Sequence, residues 1–271
     1  MSKSGPKIFS QDYYSTLHQI EGMHWWTLGM DDIMDRVLLP RLTKRGVYHV
    51  LDMGCGSGVG LTWAIKRLEP ALMVGMDISH FGIQHCKDRG AGLVVGSVTD
   101  VPLRENAFDL VICNDVLQHV EDDQRLVNEA HRLLMPGGLF YARTNGRFVL
   151  KRKPGCLRLY DNKMLNALLG EAGFEKVIVS SANAIGSVIE IFKYYGIQKW
   201  KSKSDHDAGH HHGHGTDDET GGLMIRPSKS KGKSLQEKFM RSTLRMEGHL
   251  MNHMPVLIPF GHTHIVLARK K

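Results

Sequence analysis

The stretch Val50-Leu-Asp-Met-Gly-Cys-Gly-Ser-Gly58 limits the fold more than any other part of the chain. An apolar run, Val47 to Met53, stops at three alternating glycines, which is how a buried strand ends in a tight turn. Glycine permits positive φ and lets a ligand approach the backbone closely. In an open α/β sheet, ligands bind beyond the carboxyl ends of the strands, so this turn marks a binding edge. The spacing sets two nucleotide classes aside. A dinucleotide fingerprint needs G-x-G-x-x-G, but Val59 or Leu61 stands where its last glycine belongs. A P-loop needs Gly-Lys-Ser/Thr, and none follows. Asp52, two residues before Gly54, would repel a pyrophosphate and attract a ligand carrying ammonium and sulfonium groups.

Around this loop strands and helices alternate with short links. Ala71–Met76, Leu93–Val95, Phe108–Cys113 and Leu139–Arg143 read as further buried strands. Helices are expected over Leu61–Leu68, from a Ser79 cap to Arg89, and from Asp122 or Asp123 to Leu134, where Pro136-Gly137-Gly138 stops the last. Helix Asn162–Ala172, strand Phe174–Val179, helical stretches Ile185–Trp200 and Leu235–Asn252, and a closing strand His262–Ala268 complete the pattern. Ser10–Leu42 reads as helices, giving a cap over residues 1–45 ahead of an α/β domain over 46–271. Residues 201–234, rich in His, Gly, Ser, Asp and Lys, are expected to be a flexible insertion. The alternation predicts a doubly wound, mostly parallel sheet. A chain of 271 residues, 42% hydrophobic, can bury such a core without disulfides or metals.

The net charge is +7, and five of the basic residues fall in one acid-free stretch: Arg147, Lys151, Arg152, Lys153 and Arg158. So local an excess suits an acidic small substrate, an anionic surface or plain solubility better than a nucleic-acid footprint. Cys55, Cys86, Cys113 and Cys156 have no C-x-x-C spacing and suit a reducing cytoplasm. No apolar run spans a bilayer, and residues 1–15 lack the apolar core of a secretory signal.

The glycine loop resembles the first motif of the class I S-adenosylmethionine-dependent methyltransferases, in their type 11-like branch. Asp77, at the end of the second strand, matches the family's acidic residue, whose carboxylate accepts two hydrogen bonds from the ribose diol. Gly96-Ser-Val-Thr-Asp-Val-Pro-Leu103, Phe108–Val120 and Leu134-Met-Pro-Gly-Gly138 are similar to the family's third-to-fifth-strand block in order and spacing. Glu21-Gly-Met-His-Trp-Trp26 and Pro259–Arg269 resemble the ends of a subgroup with an N-terminal His-Trp-Trp segment. The resemblance implies a seven-stranded sheet with its last strand antiparallel and a helical insertion before that strand. It implies S-adenosyl-L-methionine as cofactor, leaving as S-adenosyl-L-homocysteine. It points to Asp52, Gly54, Cys55, Gly56, Asp77, Ile78, Ser97, Val98, Asn114 and Trp25 as cofactor contacts. Ser97 departs from the family's usual Asp, so its bond to the adenine amino group lacks charge.

Methyl transfer from a sulfonium is a direct displacement that asks the protein mainly for alignment and exclusion of water. His119, after the fourth strand, is the candidate base for a hydroxyl acceptor, with structural packing as its other role. His24, Trp25 and Trp26 either form a lid over the sulfonium, with His24 toward the acceptor, or anchor their helix to the core. Arg158 and Tyr160, with Arg152 and Lys153, either hold an anionic acceptor or belong to a solvated loop. The histidines between His206 and His214 have no spacing that fixes a metal geometry, and no metal site is assigned. The expected activity is methylation of a small molecule, with oxygen as the first choice of acceptor atom and no nucleic-acid partner. Methylation of protein or RNA, and cofactor binding without catalysis, are the alternatives.

Overall fold

A computed structural model describes residues 9–20, 22–42, 48–147, 155–189, 192, 235–253, 258 and 260–271. Seven strands form its sheet: β1 (His49–Met53), β2 (Leu72–Asp77), β3 (Gly92–Val95), β4 (Phe108–Asn114), β5 (Leu134–Asn145), β6 (Phe174–Ala182) and β7 (Thr263–Lys270). Their order is β3-β2-β1-β4-β5-β7-β6. The pairs from β3 to β5 are parallel, and β7 runs antiparallel to both β5 and β6. The expected α/β sheet with an antiparallel last strand is what the chain forms.

Side chains alternate across each strand, so every strand feeds two cores. Leu51, Met53, Val111, Cys113, Phe140 and Ala142 face α5 (Asp123–Leu133) and α6 (Asn162–Glu171), which bury Leu126, Val127, Leu165 and Leu169 against them. On the other face Val50, Leu110, Ile112, Tyr141 and Leu267 meet α2 (Trp25–Leu38), α3 (Val59–Leu68) and α7 (Leu235–His253). Helix starts follow local chemistry. Ser79 accepts from Gly82 N at 3.3 Å to open α4 (His80–Gln84), and Asp122 accepts from Arg125 N at 2.9 Å to open α5. The helix expected to reach Arg89 is shorter, giving way after α4 to a 3₁₀ turn over Lys87–Arg89.

Two differences matter. First, β5 begins at Leu134 rather than after the Pro-Gly-Gly. Phe108 pairs with Leu134 and Leu110 with Leu139, so Pro136 and Gly137 loop out of register, Gly137 at φ 81°. Second, the N-terminal helices do not act alone. Asp32 on α2 accepts from Arg241 Nε at 2.7 Å and Arg245 Nε at 2.9 Å on α7. A Cβ on Gly29 would overlap Leu244 Cδ1, and one on Gly248 would lie 3.1 Å from Ile33 Cα. Glycines thus let α2 and α7 approach closely. Most of residues 185–200 and all of 201–234 lie outside the described residues, apart from a helical turn over 184–189 and residue 192. Among the described residues, no helix is long and apolar enough to cross a membrane.

Candidate functional site

Parallel pairing brings the carboxyl ends of β2, β1 and β4 side by side, with Met53 opposite Met76 and Asp52 opposite Ile112. Past β1 the chain turns over Gly54, Gly56 and Gly58, at φ 80°, 53° and 91°. Met76 O accepts from both Gly54 N (2.7 Å) and Cys55 N (2.9 Å), which pins the turn to the neighbouring strand. Asp77 completes the clasp: Oδ2 accepts from Gly56 N at 2.9 Å and Oδ1 from Ser79 N at 2.8 Å. Burial raises the Asp77 carboxyl above its ordinary range, and these donors work against that shift.

Asp52 is buried beneath the turn. A Cβ on Gly60 would overlap its Oδ2, so glycine in the first turn of α3 makes room for the carboxylate at a helix N-terminus. Ile78, directly after Asp77, is 71% exposed, an apolar face set beside a carboxylate. Val98 is buried, while Ser97 Oγ accepts from Thr99 N at 3.2 Å and shares a 2.8 Å bond with Thr99 Oγ1. Asn114 Oδ1, at the end of β4, is buried with no hydrogen-bond partner among the described residues. An orphaned acceptor, a carboxylate suited to a diol, an exposed apolar side chain and an open glycine turn fit a nucleoside with a cationic tail.

Sequence reasoning missed what covers this edge. Tyr14 of α1 (Gln11–Ile20) is buried, and burial together with the nearby Asp77 carboxylate raises its pKa. Its Cε1 lies 3.1 Å from the Cβ position of Gly82 and 3.7 Å from that of Gly56. Tyr13 stands edge-on to Tyr14, with centroids 5.4 Å apart, and Phe9 edge-on to His119 at 5.5 Å. With Phe9 and Tyr13 6.4 Å apart, three rings bridge from Asp77 to His119. No spacing marks these aromatics as site residues; Tyr14 reads as an ordinary core position of an amphipathic helix. His119 Nδ1 sits 2.7 Å from Gly155 O. A carbonyl only accepts, so Nδ1 carries the proton and Nε2 is the basic nitrogen.

The other candidates stand elsewhere. His24 caps α2, its Nδ1 accepting from Trp26 N at 3.3 Å, and burial lowers its pKa. Trp25 and Trp26 are partly buried and pack against the core that α2 and α7 cover. Tyr160 is fully buried. Its hydroxyl is aimed at Asp123 Oδ2 (2.8 Å) and Leu117 O (3.1 Å), which leaves no face for an acceptor. Arg158 pairs with the same Asp123 and donates to Glu121 O at 2.9 Å. Both side chains tie the loop after β5 to α5. Lys151, Arg152 and Lys153, and the His206–His214 tract, lie outside the described residues.

A charged group beside Asn114 also escaped notice. Arg143, paired with Asn114 across β4 and β5, donates through Nε to Asp115 Oδ2 at 2.9 Å, and Asp31 of α2 faces it. Burial raises the Asp31 carboxyl to about 6, against the pull of Arg143.

Residues 51–142 match a protein family described as a methyltransferase domain. The chain is 32% identical over 99 residues to the phthiotriol/phenolphthiotriol dimycocerosates methyltransferase of Mycobacterium tuberculosis, covering 35% of this chain and 37% of that protein. It is 28% identical over 146 residues to the ubiquinone biosynthesis O-methyltransferase of Coxiella burnetii, covering 51% and 59%. The matches thus span about two fifths to three fifths of these relatives. The solved phosphoethanolamine N-methyltransferase 2 of Haemonchus contortus, in complex with S-adenosyl-L-methionine, shares the fold at a TM-score of 0.56 and 16% identity, over 96% of this chain and 57% of that one.

Proposed function

We propose that the chain, whose residues 51–142 match a methyltransferase domain family, is a class I S-adenosylmethionine-dependent methyltransferase that transfers the methyl group of S-adenosyl-L-methionine to an oxygen of a small-molecule acceptor. The observation that carries the reading is the Asp77 clasp on Gly56 N, which sets a carboxylate and an open backbone turn together at the sheet's binding edge. When bound, the cofactor supplies an activated methyl on a positively charged sulfur. The chain's own residues then have three tasks. Asp77 accepts from the ribose hydroxyls. Asn114 Oδ1 takes a donor from the amino-acid tail, while Asp52 stabilises the cationic end electrostatically from below. The rings of Phe9, Tyr13 and Tyr14 keep water from the reacting atoms.

His119 completes the proposal. Its Nδ1 proton is committed to Gly155 O, so Nε2 is free to take the proton of an acceptor hydroxyl. Oxygen as the acceptor atom is supported by the O-methyltransferase among the relatives. A small acceptor is supported by a localised charged group, the Arg143–Asp115 pair with Asp31 acting on Arg143 electrostatically, rather than charge spread over a surface.

The test combines binding and turnover. Calorimetry should show adenosylhomocysteine binding to the chain, weakened about tenfold to a hundredfold in Asp77→Asn, which keeps one acceptor oxygen of two. Incubation with methyl-labelled cofactor and a fractionated metabolite extract should then place label on a small-molecule oxygen. Binding without label transfer to any fraction overturns the catalytic reading. Label on protein or RNA overturns the acceptor class.

A further inference from the structure

Among the described residues, the outer side of α7 carries a line of apolar side chains that the fold leaves in solvent. Leu235, Phe239, Met246 and Leu250 are between 41% and 85% exposed. Their spacings of four, seven and four residues set them on one line along the helix. Single exposed apolar side chains are ordinary, but a line of four along about 22 Å of helix is not.

The helix cannot turn this line inward. Leu244 and Met251 are buried in the core on its other side. Asp32 holds Arg241 and Arg245, Arg41 Nη1 donates to Asn252 Oδ1 at 2.7 Å, and Glu247 accepts from Ala184 N at 2.9 Å. Charge beside the line has one sign. The exposed ionisable side chains of α7 are Lys238, Arg245, His249 and His253, with Arg245 keeping its bond to Asp32. Of its acids, Glu237 is half-buried and Glu247 buried. The sequence just ahead of the helix has the same sign: between Glu219 and Glu237 stand Arg226, Lys229, Lys231 and Lys233, and no acid.

We propose that the outer face of α7 docks on a lipid bilayer with anionic headgroups. The apolar line enters the boundary between headgroups and acyl chains, and the cations beside it meet the phosphates. Among the described residues no helix is long and apolar enough to cross a membrane, so the contact is made at the surface. A protein that reads an amphipathic helix takes it into an apolar groove. Here the core and α2 already occupy one side of α7, and a single strip is left. A headgroup plane needs only such a strip. The docking goes beyond methyl transfer and does not depend on it.

The experiment sediments the full chain with vesicles of phosphatidylcholine alone, or of equal parts phosphatidylcholine and phosphatidylglycerol. The chain is expected to sediment with the mixed vesicles, less so as salt rises, and to stay in solution with phosphatidylcholine alone. Phe239→Ser with Met246→Ser should weaken retention about tenfold or more. Both side chains are exposed, so circular dichroism should show the double variant folded like the parent. Phe81→Ser, which removes a comparably exposed ring from α4, should be retained like the parent. In Phe239→Trp the added indole should shift its emission to shorter wavelength on the mixed vesicles. No retention by the mixed vesicles, retention unchanged in the double variant, or an unshifted indole overturns the docking face. Equal retention by phosphatidylcholine alone overturns the role of charge. A lipid-free parent that elutes as a dimer, with the double variant a monomer, assigns the line to a second copy and overturns the bilayer.

Discussion

Gly54→Ala tests whether the turn after β1 is held by sterics as the structure requires. Gly54 sits at φ 80°, a conformation that costs an L-residue about 1–2 kcal/mol. An added Cβ would also overlap Val116 Cγ2 and stand 3.1 Å from Val116 Cγ1. Val116 is flanked by the end of β4 and the 3₁₀ turn Leu117–His119, so it has little room to retreat, and overpacking of this kind costs about 1–3 kcal/mol. The expected loss is therefore about 2–5 kcal/mol. Gly90→Ala is the control, because Gly90 has φ 72° but no heavy atom within 4 Å of its Cβ position. It should lose only the conformational cost, about 1–2 kcal/mol, partly offset by a less mobile unfolded chain. Val116→Ala in the Gly54→Ala background should recover the steric part, a coupling of about 1–2 kcal/mol in a double-mutant cycle. Urea unfolding followed by tryptophan fluorescence measures all five proteins: the parent, Gly54→Ala, Gly90→Ala, Val116→Ala and the double variant. Equal losses for Gly54→Ala and Gly90→Ala, or no coupling with Val116, would refute the steric account. Adenosylhomocysteine affinity should fall with Gly54→Ala and hold with Gly90→Ala.

Three further outcomes are expected. Asp31 is lifted by burial from 3.8 to about 6, so the folded chain holds a proton that the unfolded chain releases, and stability should fall as pH rises from about 4 to about 6 and then level off. Asp31→Asn should flatten that descent and be the more stable protein at pH 7; a descent unchanged in the variant sinks the assignment. Tyr160→Phe removes a buried donor shared by Asp123 and Leu117 O, and should cost about 1–3 kcal/mol in urea unfolding while adenosylhomocysteine binds as before. His119→Ala should lower kcat for a hydroxyl acceptor with cofactor affinity unchanged; full turnover in the variant returns His119 to the packing role.

What the sequence disclosed about the site is what the backbone imposes locally. Glycines at 54, 56 and 58 are legible because positive φ restricts the residue type, and Ser79 and Asp122 because an exposed helix start wants an acceptor within three residues. Asp77 is legible because it ends a strand next to that turn. The Pro-Gly-Gly after α5 was misleading since the same residues that stop a helix also make a bulge, and only the pairing of Phe108 with Leu134 shows that the strand has already begun. His24 looked chemical but serves as a cap, a task more often given to Ser, Thr, Asp or Asn.

The charges show most sharply why the rest stayed hidden. In the sequence Arg158 belongs to an acid-free run, so it counts as free charge. In the fold it meets Asp123, which also receives Tyr160, and an apparent anion site becomes a tie to the first turn of α5. The reverse happens at the carboxyl edge. Asp31, Asp115 and Arg143 lie far apart in the chain and form no motif, yet in the fold Arg143 pairs with Asp115 and feels the Asp31 charge. Local rules thus reveal where the nucleoside end of a ligand is gripped, because that grip is made by backbone. The charged group, by contrast, is made of side chains brought together only by tertiary contacts. Asp32 secures the docking of α2 against α7 through Arg241 and Arg245, two residues no neighbour of Asp32 in the sequence foretells.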